Sequence, residues 1–410
     1  MLNEVNNVFH GPGSKEINEI LDHVKLQNTS ENISVGYAIL THDNESSVIR
    51  LINSIIEFGL PSEIIVVDTG SKDSTLELLN TLQNSNRIIQ TYQIKWNNDF
   101  SSARNFAIGK IKSDWTIVMD SDEWIVNQDF NIKKALYASD IAGYSILSGT
   151  IIEESDNYKM LGIPRIFKTG KFRYTGLIHE YLINIETNYP EETIPELNLI
   201  TYHDGYSNFS VKKFDKLNRN ITLIQKMRKM DPYNARWVYF LSREILADGQ
   251  YNNSEKLLLR LLTDTGLNFQ KDYISKGWFL LAKNYYLTGN FKKLHDILPK
   301  LKSYINLTDY TYFETVLKML DIQNEINIVI KTLREVRRLT TSDLSTSELN
   351  TDGEHLDFLI EISLLKGGHI TLFEKYASLL ENGYFDPISA GLVIGENYQN
   401  MLNRSYTKAH

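Results

Sequence analysis

Two carboxylates two residues apart, Asp120-Ser121-Asp122, close the apolar run that starts at Trp115. In an extended chain residues i and i+2 point to the same side. The pair can therefore share one hard divalent cation that also bridges phosphate oxygens of a substrate. Taken alone, such a pattern is more often an acidic, solvated turn after a strand. Asp68 closes a second apolar run, Glu63-Ile-Ile-Val-Val-Asp68, and leads into Thr69-Gly70-Ser71-Lys72-Asp73. It can accept hydrogen bonds from a ligand or cap the turn that follows it. Thr41 to Glu45, after the run at 33–40, would form the neighbouring wall. In Trp96-Asn-Asn-Asp99-Phe100-Ser-Ser-Ala-Arg104-Asn105, the residues Phe100, Ala103 and Ala107 can face a sheet, with Arg104 and Asn105 in the first turns of a helix. A helix N-terminus beside an arginine suits an anionic group; a solvated arginine is the plain alternative.

These residues need a frame. Short β-rich runs at 33–40, 63–68, 87–93 and 114–120 alternate with helical spacing at 45–58, from 74 onward, and at 100–111. Ser74 with Glu77 three residues on is the pattern of a capping box. The β-α-β-α order predicts a mainly parallel sheet with helices on both faces, and such sheets bind ligands at the carboxyl ends of their strands. From about 140 to 205 the chain is irregular and β-rich, punctuated by Pro164, Gly170 and Gly176. After Asn208 helical periods run to the end. There Leu241-Ser242, Ile245, Gly249 and Tyr251 recur forty residues later as Leu281-Ala282, Tyr285, Gly289 and Phe291. That is the spacing of a tetratricopeptide-like hairpin, with a weaker third unit around Gly367-Gly368; two clear units also fit an ordinary helical bundle.

Composition narrows the classes. The chain has 410 residues, 42% hydrophobic and 11% aromatic, enough for two or three cores. Forty-three basic against fifty-one acidic residues give a net charge of −8, which argues against nucleic-acid binding through a basic surface. The absence of cysteine excludes disulfides, thiolate metal sites and cysteine nucleophiles within this chain, and fits a reducing compartment. No stretch approaches the roughly 18 apolar residues of a membrane span, and the N-terminus lacks the pattern of a signal peptide. A soluble, cytoplasmic protein is expected.

Taken together, several segments resemble the family 2 glycosyltransferases of the GT-A fold. They are Asn44-Glu45, the stretch from Ile64 through Asp68 to Asp73-Ser-Thr, Trp96 to Asn105, Trp115 to Trp124, Gly176-Leu-Ile-His179-Glu180 and Tyr202-His203-Asp-Gly205-Tyr206. With helical hairpins following, and Pro232 to Leu259 in register, the chain is most similar to the sublancin-type S-glycosyltransferases that modify bacteriocin (glycocin) peptides. The resemblance implies a helical extension at 1–32, a GT-A α/β domain at 33–207, and an all-α tetratricopeptide-like domain at 208–410 that binds the acceptor or makes a homodimer.

It further implies metal-dependent, inverting transfer from UDP-glucose or UDP-N-acetylglucosamine to Cys or Ser side chains of a bacteriocin precursor peptide. Asp68 would contact the uridine, with Thr41, Asn44, Glu45, Gly70, Ser71, Arg104, Asn105 and Ser121 around the nucleotide. Asp120 and Asp122 would hold the ribose and Mg²⁺ or Mn²⁺, Asp122 as the direct ligand, and His179 or His203 would add another. Glu180 is the candidate base and Glu123 the second. Because strand-end carboxylates carry no core packing, loss of Asp120 or Asp122 should stop transfer and leave folding intact. A cut near residue 208 should leave UDP binding and weaken acceptor use. The alternative acceptor is a cell-envelope or capsular polysaccharide, against which the missing membrane segment counts. A scaffold with an inactive transferase half is a third reading, opposed by the intact Asp68, Asp120 and Asp122.

Overall fold

The structure, a computed structural model, describes residues 8–25, 33–59, 61–126, 131–154, 159–204, 210–338 and 354–373. Gly205, Tyr206 and Asn208 lie outside the described residues, as do 1–7 and 26–32 of the expected extension.

The chain opens with β1 (Phe9–His10) and α1 (Ser14–Lys25). The alternating block follows as β2 (Val35–Thr41), α2 (Glu45–Gly59), β3 (Glu63–Asp68), α3 (Thr75–Ser85), β4 (Ile89–Gln93), α4 (Phe100–Ile108) and β5 (Trp115–Asp120). Next come β6 (Glu123–Ile125), α5 (Ile132–Ile141), β7 (Ile146–Glu153), β8 (Lys159–Lys168), β9 (Phe172–Thr175), β10 (Tyr181–Asn184) and β11 (Glu196–His203). Helices then succeed one another: α6 (Ser210–Met230), α7 (Ala235–Ala247), α8 (Tyr251–Thr263), α9 (Lys271–Leu287), α10 (Phe291–Tyr304), α11 (Leu307–Arg337) and α12 (Glu354–Lys366). The expected order, an α/β region and then helices, is the observed one.

The main sheet runs β1-β11-β7-β8-β5-β2-β3-β4, with β6 paired to β11. Strands β5, β2, β3 and β4 are parallel, β8 is antiparallel to both β5 and β7, and β7 and β11 are parallel. All six residues of β3 are buried. Ile64 and Val66 pack in one core with Leu51, Ile55 and Leu136, while Ile65 and Val67 pack in the other with Ala107, Phe167 and Tyr174. Burial of alternate residues on opposite faces is what the unbroken apolar run requires. Each such side chain contributes about 1.5–3 kcal/mol.

The expected capping box at Ser74 does not form. Ser74 makes no side-chain cap bond. Its amide instead donates to Glu45 Oε2 at 3.2 Å, and the Thr75 amide donates to Asp73 Oδ1 at 3.0 Å. An acid at the start of α2 satisfies the helix start that the local serine leaves open.

By compactness the chain divides into Met1–Gly277 and Trp278–His410, which groups α6, α7 and α8 with the sheet. The first unit has a third core, in which Ile178 packs against Leu223, Ile224, Met227, Trp237, Leu241 and Ile245. Gly249 after α7 and Gly289 after α9 both adopt left-handed φ, 76° and 65°, so the two recurring hairpin turns are built alike. In the second unit Gly368 ends α12 in the same way, with φ of 71°. No helix among the described residues is long and apolar enough to cross a membrane.

Candidate active site

Register brings the strand-end residues together. Thr41 lies opposite Asp68 and Leu40 opposite Asp120, so the carboxyl ends of β2, β3 and β5 form one edge. A cavity of about 1370 Å³ opens there. It exceeds the roughly 300–1,000 Å³ of a site for one small ligand, and so has room for two substrates. Of the candidate residues, Thr41, Asn44, Arg104, Asp120, Ser121, Asp122, His179, Glu180 and His203 line it.

The remaining candidates support this edge from behind. Asp68 is wholly buried; its Oδ1 accepts from the Gly70 and Ser71 amides at 2.9 and 3.1 Å, and its Oδ2 from the Ser71 hydroxyl. It therefore shapes the turn of Gly70 and Ser71 from within. Asp43 ties this turn to the loop after β2, its amide donating to Ser71 Oγ at 2.8 Å and its Oδ1 accepting from the Lys72 amide at 2.6 Å. Asn44 Nδ2 donates to Ser121 Oγ at 2.9 Å. Asn105 exchanges hydrogen bonds with the Tyr174 backbone at 2.9 and 2.8 Å, so its side chain holds β9 to α4.

Asp120 sits in a chain of alternating charge. Arg104 donates from Nε to Glu180 Oε1 at 2.6 Å and from Nη2 to Asp120 Oδ1 at 2.7 Å. Arg165, on β8, donates from Nη2 to Asp120 Oδ2 at 2.8 Å and from Nη1 to Glu123 Oε1 at 2.5 Å. Glu123 Oε2 accepts from the Asp120 amide at 3.1 Å. Burial works to raise the Asp120 pKa, but the two guanidiniums outweigh it and hold the carboxyl far below the usual range. Burial pushes the Glu123 carboxyl up to about 7, against the pull of Arg165. Both Asp120 oxygens are thus engaged by arginines.

Asp122 has a different partner. Its Oδ2 lies 3.2 Å from His203 Nε2, and His203 Nδ1 lies 2.9 Å from Glu153 Oε1. Sheet register places His203 beside both Glu153 and Glu123. The Asp204 amide donates to the Asp122 carbonyl at 3.2 Å, fixing the turn against the end of β11. Arg50 adds a clamp, paired to Asp204 at 2.6 Å and lying 3.7 Å over the Trp124 ring. Burial lowers the His203 pKa, but Asp122 and then Glu153 outweigh it and bring it up to about 9. The spot therefore stabilises positive charge.

A carboxylate and an imidazole backed by a second carboxylate are also a fitting donor set for a divalent cation. No group of three or more such residues that could hold a metal occurs among the described residues, so substrate oxygens and water would complete the shell. His179 is not part of this pair. Its ring stacks on Phe240 at 4.0 Å and its Nε2 lies 3.5 Å from Glu244 Oε1, and burial lowers its pKa.

Three residues of this arrangement escaped the sequence reading. Glu153 ends a strand, as Asp68 and Asp120 do, and could have been found by that signal. Arg165 and Arg236 come from segments with no local pattern and are visible only through long-range contacts.

The glycosyl transferase family 2 model matches residues 38–190. The SPbeta prophage-derived glycosyltransferase SunS of Bacillus subtilis (strain 168) is 26% identical over 331 residues, covering 80% of this chain and 75% of that protein. Among solved structures, S. aureus TarS aligns at 14% identity with a TM-score of 0.37, over 64% of this chain; the match spans about half (54%) of the TarS chain. The structure of TarS 1–349 in complex with UDP-GlcNAc also aligns at 14% and 0.37, over 70% of this chain and 92% of that one. Residues 38–190 thus match the family 2 glycosyltransferase domain, and the strand ends that frame the cavity lie within that match.

Proposed function

We propose that this protein is a metal-dependent inverting glycosyltransferase that moves a sugar from UDP-glucose or UDP-N-acetylglucosamine to Cys or Ser side chains of a glycocin precursor peptide. The observation that carries the reading is the Asp122–His203 pair, backed by Glu153, in the same cavity as the Glu180 carboxylate. Asp122 and His203 would hold Mg²⁺ or Mn²⁺, which would offset the charge developing on the departing diphosphate. Asp120, neutralised by Arg104 and Arg165, keeps the turn rigid so that Asp122 faces the cavity. Thr41, Asn44 and Ser121 would line the nucleotide pocket, with Asp68, Gly70 and Ser71 shaping its wall.

Glu180 is the base. Its Oε1 is fixed by Arg104, leaving Oε2 to take the acceptor's proton. A cysteine thiol, with a pKa of about 8.5, needs only modest help from such a carboxylate; a serine hydroxyl needs far more.

The acceptor would enter along the helical wall of the cavity, which Lys216, Arg219, Arg236, Phe240 and Tyr273 contribute. Within the second unit, α11 exposes Leu307, Met319, Ile322 and Ile328, each more than half exposed, a surface suited to a homodimer. We place the enzyme in the cytoplasm, where nucleotide sugars are made.

Incubation of a cysteine-bearing bacteriocin precursor with the protein, Mg²⁺ or Mn²⁺ and UDP-sugars tests the reading by intact mass. A gain of a hexose or an N-acetylhexosamine is expected. UDP release without a peptide product would move the acceptor to an envelope glycan. Absence of both a peptide product and UDP release would contradict the reading altogether.

A further inference from the structure

The segment from Gly176 to Glu180 carries the candidate base between two turns of strained or close-packed backbone. Gly176 has φ of 106°, and a Cβ there would meet Trp237 Cη2 at 2.9 Å, so the loop lies directly on α7. The Leu177 carbonyl accepts from the Phe100 amide at 3.0 Å, and Ile178 is buried among the side chains of α6 and α7. His179 has φ of 48°. A non-glycine residue in the left-handed region persists only where its surroundings over-determine it.

What over-determines it comes from α7. Arg236 donates to the His179 carbonyl from Nε at 3.1 Å and again from Nη2, and from Nη1 to Tyr273 Oη at 2.6 Å. The same guanidinium lies 4.4 Å over the Tyr181 ring. The His179 ring stacks on Phe240, one turn along the helix, with planes 12° apart. One arginine thus touches the residue before Glu180 and the residue after it. The His179 carbonyl and the Glu180 amide share one planar peptide unit, so fixing that carbonyl fixes the Glu180 N and Cα, and the hold on the Tyr181 ring limits the remaining rotation about that Cα.

We propose that Arg236 is a positioning residue for Glu180: by gripping the His179 carbonyl and the Tyr181 ring it aims the Glu180 carboxylate at Arg104 and into the cavity. The catalytic consequence rests on the reading of Glu180 as the base; the positioning itself does not. Arginine is required because its planar fork makes two bonds to one carbonyl while its face covers a ring, which lysine cannot do.

The test compares full-length wild type, Arg236→Gln and Arg236→Lys in sugar transfer and by crystallography. In Arg236→Gln the Glu180–Arg104 hydrogen bond should break, kcat should fall about 100-fold, as a 1 Å misplacement can cause, and the donor KM should stay within about threefold. Arg236→Lys should recover part of kcat. An Arg236→Gln structure that keeps the Glu180–Arg104 hydrogen bond would overturn the proposal whatever the kinetics. A broken Glu180–Arg104 bond with unchanged kcat would uphold the positioning and remove Glu180 as the base. If Arg236→Gln fails to fold, Arg236→Met, which keeps the stem and removes every donor, decides by the same two readouts.

Discussion

The turn at 120–123 and the loop at 176–180 each deliver a carboxylate to one cavity, and each is held by different physics. In the turn, fixed charge does the holding: Asp120 is locked between Arg104 and Arg165, which frees its neighbour Asp122 to face His203. In the loop, the backbone is held: a left-handed His179 is gripped through its carbonyl and stacked through its ring. Arg104 joins the two, since it binds both Asp120 and Glu180. The lesson is that the two acids of a D-x-D motif need not share a task. Asp120 is the anchor, and on the proposed reading Asp122 is the ligand.

The comparison breaks most sharply at the groups proposed to react. Glu180→Gln should lower transfer by about 10²–10⁴-fold, the range for loss of a general base, and should also lower the unfolding temperature, because it breaks the ion pair to Arg104; steady-state kinetics with thermal melts check this. Asp122→Ala should cost about 10²–10³-fold in turnover, with a smaller loss of stability from its one ion pair, to His203. Asp120→Ala should differ. It leaves Arg104 and Arg165 with one carboxylate each, and should cost about 1.5–3 kcal/mol of stability, the range for hydrogen bonds to charged groups at this half-buried position. Against the expectation that either aspartate could be removed without harm to folding, these pairs predict a cost at both positions, larger at Asp120. Equal unfolding curves for the two variants would erase the distinction.

Smaller effects sharpen the picture further. Glu153→Gln should weaken Mn²⁺ binding about 10–100-fold, as loss of a carboxylate behind a ligating histidine does, measurable by titration in the presence of UDP. On the loop side, burial opposes ionisation of Glu244, but bonds to His179 and Arg243 outweigh it and lower its pKa to about 2. A depressed carboxylate contributes stability that is present above its unfolded value and lost as pH falls through the folded one. Burial of neutral His179 acts in the same direction, since acid must charge it. These two groups therefore pull the unfolding temperature down from neutral pH toward pH 2, while Glu123, with its raised pKa, acts the other way; Glu244→Gln should start lower at neutral pH and drop less.

The parallel block was legible because each β-α unit is local. Apolar runs at 63–68 and 115–119 specify buried strands, and register then places Asp68 and Asp120 on one edge without further information. The antiparallel side was not. Arg165 reaches Asp120 from 45 residues away and Arg236 reaches His179 from 57, and neither spacing leaves a trace in local periodicity. Asp68 was read for both its possible jobs, and geometry shows the cap. The change of grammar near 208 marks the start of helices, yet α6 and α7 pack on Ile178 and support the Glu180 loop. A cut there would remove Met227, Trp237 and Leu241 from this core, and should abolish transfer instead of only weakening acceptor use.

The most direct measurement is Mn²⁺ binding in the presence of UDP, by electron paramagnetic resonance, for wild type, Asp120→Asn and Asp122→Asn. The account predicts that Asp122→Asn loses the ion, while Asp120→Asn keeps its affinity within about threefold and melts earlier. Equal loss of Mn²⁺ in both variants, or retention in Asp122→Asn, would contradict it.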